Sequence, residues 1–200
     1  APNLPPLTDR ISPALRPQLT AAIAASGLTS AYLDKMKTWM AAFTLVQLQF
    51  KALGLKGEAG VEPHLRQAFA AAGKPIGQLE TNAEQLSFFD TLSEPAQRAF
   101  LEGAITDPGN MRTEFSGMLK SWATGDVAGI AQSFNADLAA SPELRANLLT
   151  KRNRNWSQWV ERKLVQPGTT MVAVGAGHLA GDDSVVAMLQ RDGYKVQRVE

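Results

Sequence analysis

The last thirty residues constrain this chain most. Thr170-Met-Val-Ala-Val-Gly-Ala-Gly-His-Leu179 carries an apolar, β-branched run into a Gly-x-Gly turn. A short helical pattern follows, and Gly193-Tyr-Lys-Val-Gln-Arg-Val199 then restores an apolar alternation. That order predicts a β-α-β unit over 169–200. Its turn delivers His178 at the mouth of a strand, where scaffolds tend to present working side chains. With only two histidines and no cysteine in the chain, His178 has almost no competitor as a ligand or proton carrier.

Upstream, residues 8–165 read as helix after helix. Ser12-Pro13 opens a helix to about Ala25 that Gly27 ends, Ser30 opens another, and Pro63 starts one that stops at Gly73. Thr81-x-x-Glu84 is a capping box, and Ser93, Asp126 and Ser141 are N-cap residues. A long helix runs from Pro142 to about Leu164. Within Trp39–Leu55, the residues Phe43, Val46, Phe50 and Leu53 recur at helical spacing, which predicts a buried core helix. That run is too short and interrupted for a bilayer, which takes about 20 apolar residues.

Lys74-Pro-Ile-Gly-Gln-Leu-Glu80, short and bounded by breakers, reads as a buried strand. The expected fold is therefore a helix-rich α/β domain over residues 1–200, with short strands at 75–80, 169–175 and 194–199. So few strands serve a large helical shell poorly, which predicts further strands upstream in a longer gene product. The alternative is a helical domain with a small β appendage.

Composition removes several classes of function. Twenty basic against nineteen acidic residues leave no nucleic-acid footprint, and the absence of cysteine excludes disulfides and thiolate chemistry. No G-x-S-x-G elbow and no H-E-x-x-H occurs. Gly175 and Gly177 are candidate cofactor-contacting glycines. A dinucleotide fingerprint is weak here, because Ala180 holds the third glycine position and no second βαβ half follows. Ala1-Pro-Asn-Leu-Pro-Pro6 has neither the basic nor the apolar region of a signal peptide.

In the 142–164 helix, Leu148, Arg152, Trp156 and Val160 fall on one stripe, with Asn153 beside it. An arginine inside an apolar stripe either pairs with a carboxylate or carries its head out to solvent. The candidate acids are Glu80, at the end of its expected strand, and Glu62, just before Pro63. Glu80 and the His178 turn both lie at expected strand C-termini, so they are expected to share a cleft. In such a cleft His178 would contribute little to packing. His64 has no histidine at i+4 and reads as a surface or capping residue.

Val174-Gly-Ala-Gly-His-Leu-Ala-Gly181 followed by Leu189-x-x-x-Gly-Tyr-x-Val196 resembles the C-terminal signature of the TraB/PrgY/GumN family, closest to its bacterial GumN-like branch, with the animal Tiki proteases as distant relatives. Gly60-Val-Glu-Pro-His-Leu65, Gly73-Lys-Pro-Ile-Gly-Gln-Leu-Glu-Thr81 and Arg152-Asn-Arg-Asn-Trp156 fall in family order. The resemblance implies a metal-dependent, peptidase-like hydrolase built on two G-x-x-H motifs, of which Gly175-Ala-Gly-His178 matches the second. The first is absent from this chain.

By that likeness His178, Glu80, Arg152 and Asn153 are the catalytic candidates, and His178 with Glu62, which replaces the usual aspartate, are the metal candidates. A divalent Zn, Mn, Co or Fe ion would need further ligands missing from this chain. The expected setting is periplasmic or secreted, otherwise cytoplasmic. The expected partners are a peptide or small-molecule substrate and a second copy in a homo-oligomer, with any membrane association made through missing regions. The competing class is a non-catalytic protein that sequesters a peptide or small ligand. A remote likeness to ChaN-like proteins adds iron or haem binding as a third reading.

Overall fold

The start and stop residues read from the sequence sit at helix ends in the structure, a computed structural model that describes residues 3–105, 108–139 and 141–199. The described chain divides into two compact units, residues 1–78 with 89–115 and residues 79–88 with 116–200.

In the first unit, a 3-10 turn at Pro13–Leu15 leads into α1 (Arg16–Ser26), which Gly27 ends with a left-handed φ of 72°. Short α2 (Ser30–Asp34) and long α3 (Thr38–Ala52) follow, then α4 (Val61–Ala71). The chain returns to this unit at residue 89, the end of α5 (Asn82–Asp90), whose residues 82–88 belong to the second unit, and continues through α6 (Glu94–Ala104) and the start of α7 (Pro108–Thr124). The core joins Leu7, Leu19, Ile23, Leu33, Ala41, Ala42, Leu45 and Leu101 from α1, α2, α3, α6 and the N-terminal segment. Arg10 is buried there, its guanidinium donating to the carbonyls of Pro5, Asp34 and Met36 at 2.7, 2.5 and 2.6 Å. Three backbone acceptors satisfy the charge that burial would otherwise penalise.

α3 is the expected helix, but it presents a different face. It buries Trp39, Ala41, Ala42 and Leu45, while Phe43 remains 40% exposed. The small residues let α3 lie close against α6, so packing distance rather than bulk chose the buried stripe.

The second unit holds α8 (Val127–Ala139), α9 (Pro142–Arg145), a π-helical turn at Ala146–Thr150, α10 (Lys151–Leu164) and α11 (Val185–Arg191). Local capping explains the boundaries. Thr81 Oγ1 accepts from Glu84 N at 3.1 Å while Glu84 Oε2 accepts from Thr81 N at 2.7 Å. Asp126, Ser141 and Ser184 cap α8, α9 and α11. The expected helix from Pro142 to Leu164 is thus one helical path broken by a π turn.

The α/β expectation is wrong: among the described residues there is no strand. Residues 75–80, 169–175 and 194–199 are irregular segments that join no ladder. Some of their side chains nevertheless turn inward as expected, although Ile76, Met171, Val172 and Val199 stay exposed. Leu79, Val174, Tyr194 and Val196 all pack on Trp156, Val185 and Leu189 of α10 and α11. Burial makes such a pattern, whereas a strand also requires a neighbouring edge to accept its hydrogen bonds. None of the described segments supplies one.

Candidate functional site

The polar cluster of the second unit begins on α10, where Arg152 and Asn153 lie four and three residues ahead of Trp156 and so flank it. Arg152 pairs with Glu80 through two contacts, Nε to Oε2 at 3.1 Å and Nη2 to Oε1 at 2.5 Å. The side chains are 14% and 11% exposed, so most of the pair is out of water. Arg152 also donates to Leu148 O and lies over the rings of Trp156 and Phe88, at 4.8 and 5.7 Å from their centroids. Gln85 Nε2 gives Glu80 a third donor at 3.1 Å. The carboxylate partner expected for Arg152 is therefore Glu80.

His178 arrives on a 3-10 turn, Ala176–His178, whose first bond runs from His178 N to Gly175 O. It is 8% exposed and packs on Trp156 at 4.5 Å, so it is a buried residue that contributes packing, not a loosely held cleft side chain. Its Nδ1 lies 2.7 Å from Asn153 Oδ1, and Asn153 Nδ2 donates to the carbonyl of Asp183 at 2.6 Å. A carbonyl can only accept, so the Asn153 amide must turn its oxygen toward the histidine. Nδ1 then carries the proton and Nε2 keeps a lone pair with no partner among the described residues. Among the described residues the one buried side-chain polar atom without a partner is Gln49 Oε1, in the other unit. Burial, reinforced by the Arg152 guanidinium, pushes the His178 pKa down to about 4.

Gly177 is buried, and the ring of Phe134 on α8 fills the space a Cβ would need. Close approach therefore explains that glycine without any ligand. Glu62 stands exposed in the first turn of α4, in the first unit, whereas the His178 cluster is built wholly from the second. His64 is exposed, with Nδ1 2.8 Å from Gly60 O. Among the described residues no group of three or more His, Cys, Asp or Glu side chains could hold a metal.

The sequence reading missed Asp183 and Arg145. Arg145 Nε and Nη2 meet Asp183 Oδ2 at 3.0 and 2.9 Å, across 38 residues with no local pattern to announce the pair. The only signal was the Ser184 cap, which places Asp183 just ahead of α11.

The fold and site define a helical chain with a polar cluster organised around a single neutral, buried histidine. A family model matches residues 1–198, and the chain belongs to the TraB/PrgY/gumN family. It is similar to YbaP of Escherichia coli (strain K12) and of Shigella flexneri, each 27% identical over 195 residues. The alignment covers 94% of this chain and 70% of either relative, and both are described as uncharacterized proteins. No solved structure matches the chain.

Proposed function

We propose that this chain contributes the histidine half of a hydrolytic site for a peptide or small-molecule substrate, with a divalent cation as cofactor. The observation that carries the reading is His178: neutral, held in one tautomer, with an Nε2 that no described residue engages. An imidazole whose other nitrogen is tied to a protein acceptor is the form that ligates metals. The donor set is incomplete among the described residues, since Glu80 is engaged by Arg152 and no three-ligand group occurs. His178 fits as one ligand, and the others would have to come from elsewhere. A bound Zn, Mn, Co or Fe ion would polarise a carbonyl and provide a nucleophile at neutral pH. Arg152, held by Glu80 above Trp156, keeps positive charge beside the imidazole, where it favours an anionic substrate group.

The test is peptide hydrolysis by the full-length protein reloaded with each ion in turn, with and without chelator. The expected result is chelator-sensitive turnover, restored by one ion and lost in His178→Gln. Turnover that survives both chelator and His178→Gln would overturn the reading. The second reading, sequestration without catalysis, is favoured by the engagement of Glu80 with Arg152, which commits the carboxylate of this cluster to a structural pair. It predicts stoichiometric retention of a peptide with no cleavage.

A further inference from the structure

We infer that Asp183, clamped by Arg145 and Thr150, is the positioning residue that sets the tautomer of His178. The proposal rests on reading His178 as the working group, but its chemistry can be tested separately. Asp183 Oδ2 accepts from Arg145 Nε and Nη2 at 3.0 and 2.9 Å and from Thr150 Oγ1 at 3.3 Å. Arg145 is itself anchored from α8, its Nη1 donating to Asn135 Oδ1 at 2.5 Å. The next residue, Ser184, is buried and caps α11, with its own N–H held by Gly181 O at 3.1 Å. Both sides of the Asp183 carbonyl are thus tied down.

Apart from His178 itself, that carbonyl is the partner among the described residues that decides which way the fully buried Asn153 amide faces. If it withdrew, the amide could rotate and present its NH2 group to His178. The imidazole would then move its proton to Nε2, and the lone pair would point at Asn153 instead of outward. The clamp draws on α8, α9, the π turn and α10, and π turns recur where a helix has been adjusted for a site.

Nitrogen-detected NMR of the imidazole in the metal-free protein at neutral pH reads the tautomer directly. The wild type is expected to show the Nδ1–H form. Asp183→Ala should raise the ratio of Nε2–H to Nδ1–H about tenfold, the effect of losing one hydrogen bond. Asp183→Asn, which retains an oxygen for Arg145 and Thr150, should stay near wild type. If Asp183→Ala does not fold, Arg145→Gln and Thr150→Val carry the same expectation in smaller measure. An Nε2–H tautomer in the wild type would overturn the proposal, as would folded Asp183→Ala or Arg145→Gln protein that keeps the wild-type ratio. Because no metal or substrate is present, absence of hydrolysis leaves this result intact, and a failed tautomer test leaves the hydrolytic reading standing.

Discussion

Replacing Arg152 with leucine removes two contacts to Glu80, one to Leu148 O and the cation over Trp156 and Phe88, while keeping an apolar side chain on the stripe. Among the described residues Glu80 would then retain only Gln85 as a side-chain donor. Breaking a buried pair from one side costs roughly 3–5 kcal/mol, mostly because the surviving charge is stranded. The residual exposure of 14% and 11% lets some water reach the acid, so the lower end applies, about 3 kcal/mol. Urea denaturation of Arg152→Leu, Glu80→Leu and the double variant separates the terms. The double variant should recover most of the loss, because no charge is left without a partner. A loss below about 1 kcal/mol in Arg152→Leu, or a double variant as unstable as the two single losses combined, would refute the account of a desolvated, coupled pair.

Burial holds His178 neutral down to about pH 4 against its ordinary value of 6.5, so between those values the unfolded chain binds a proton that the folded one does not. Stability from this group is full above about pH 6.5 and falls as pH drops toward 4, by on the order of 3 kcal/mol. Urea titrations across that range should show a steeper acid loss in the wild type than in His178→Asn, and parallel curves would contradict it. Gly177→Ala forces a methyl into the Phe134 ring and should cost about 2 kcal/mol, partly recovered by Phe134→Leu; an unchanged melting temperature in Gly177→Ala would show that the ring yields freely. Thr81→Ala breaks the reciprocal cap with Glu84 and should cost about 1 kcal/mol in denaturant melts, with no change in midpoint counting against the cap.

The parts of this molecule legible in its sequence are those decided within a turn or two of chain. Gly27, Ser93, Asp126 and Ser141 end or start helices because the cap and its acceptor or donor lie a few residues apart. Glu80 was legible as a candidate partner of Arg152 for a different reason: a guanidinium in an apolar stripe either finds an acid or carries its head to solvent, and few acids were eligible. Asp183 met neither condition. Its partner Arg145 is 38 residues away, and its contribution to Asn153 comes from a backbone carbonyl, which every residue carries.

The strands failed because alternation in a sequence reports which side chains are buried and says nothing of what the backbone bonds to. At 194–199 the period-2 reading places Tyr194 and Val196 correctly on the α11 side, with Lys195 turned outward. At 169–175 it places Val174 in the same cluster but leaves Met171 and Val172 exposed. A helix closes its own hydrogen bonds, so its pattern and its backbone are settled together. An extended segment cannot, and the same buried alternation is satisfied by irregular chain laid across two helices. His178 follows the 169–175 run, and its position owes nothing to a sheet among the described residues: the 3-10 turn, Trp156 against the ring and Asn153 at its edge hold it. Of the residues singled out, Glu80, Arg152, Asn153 and His178 come together on a helical scaffold, while Glu62 stands in the other unit.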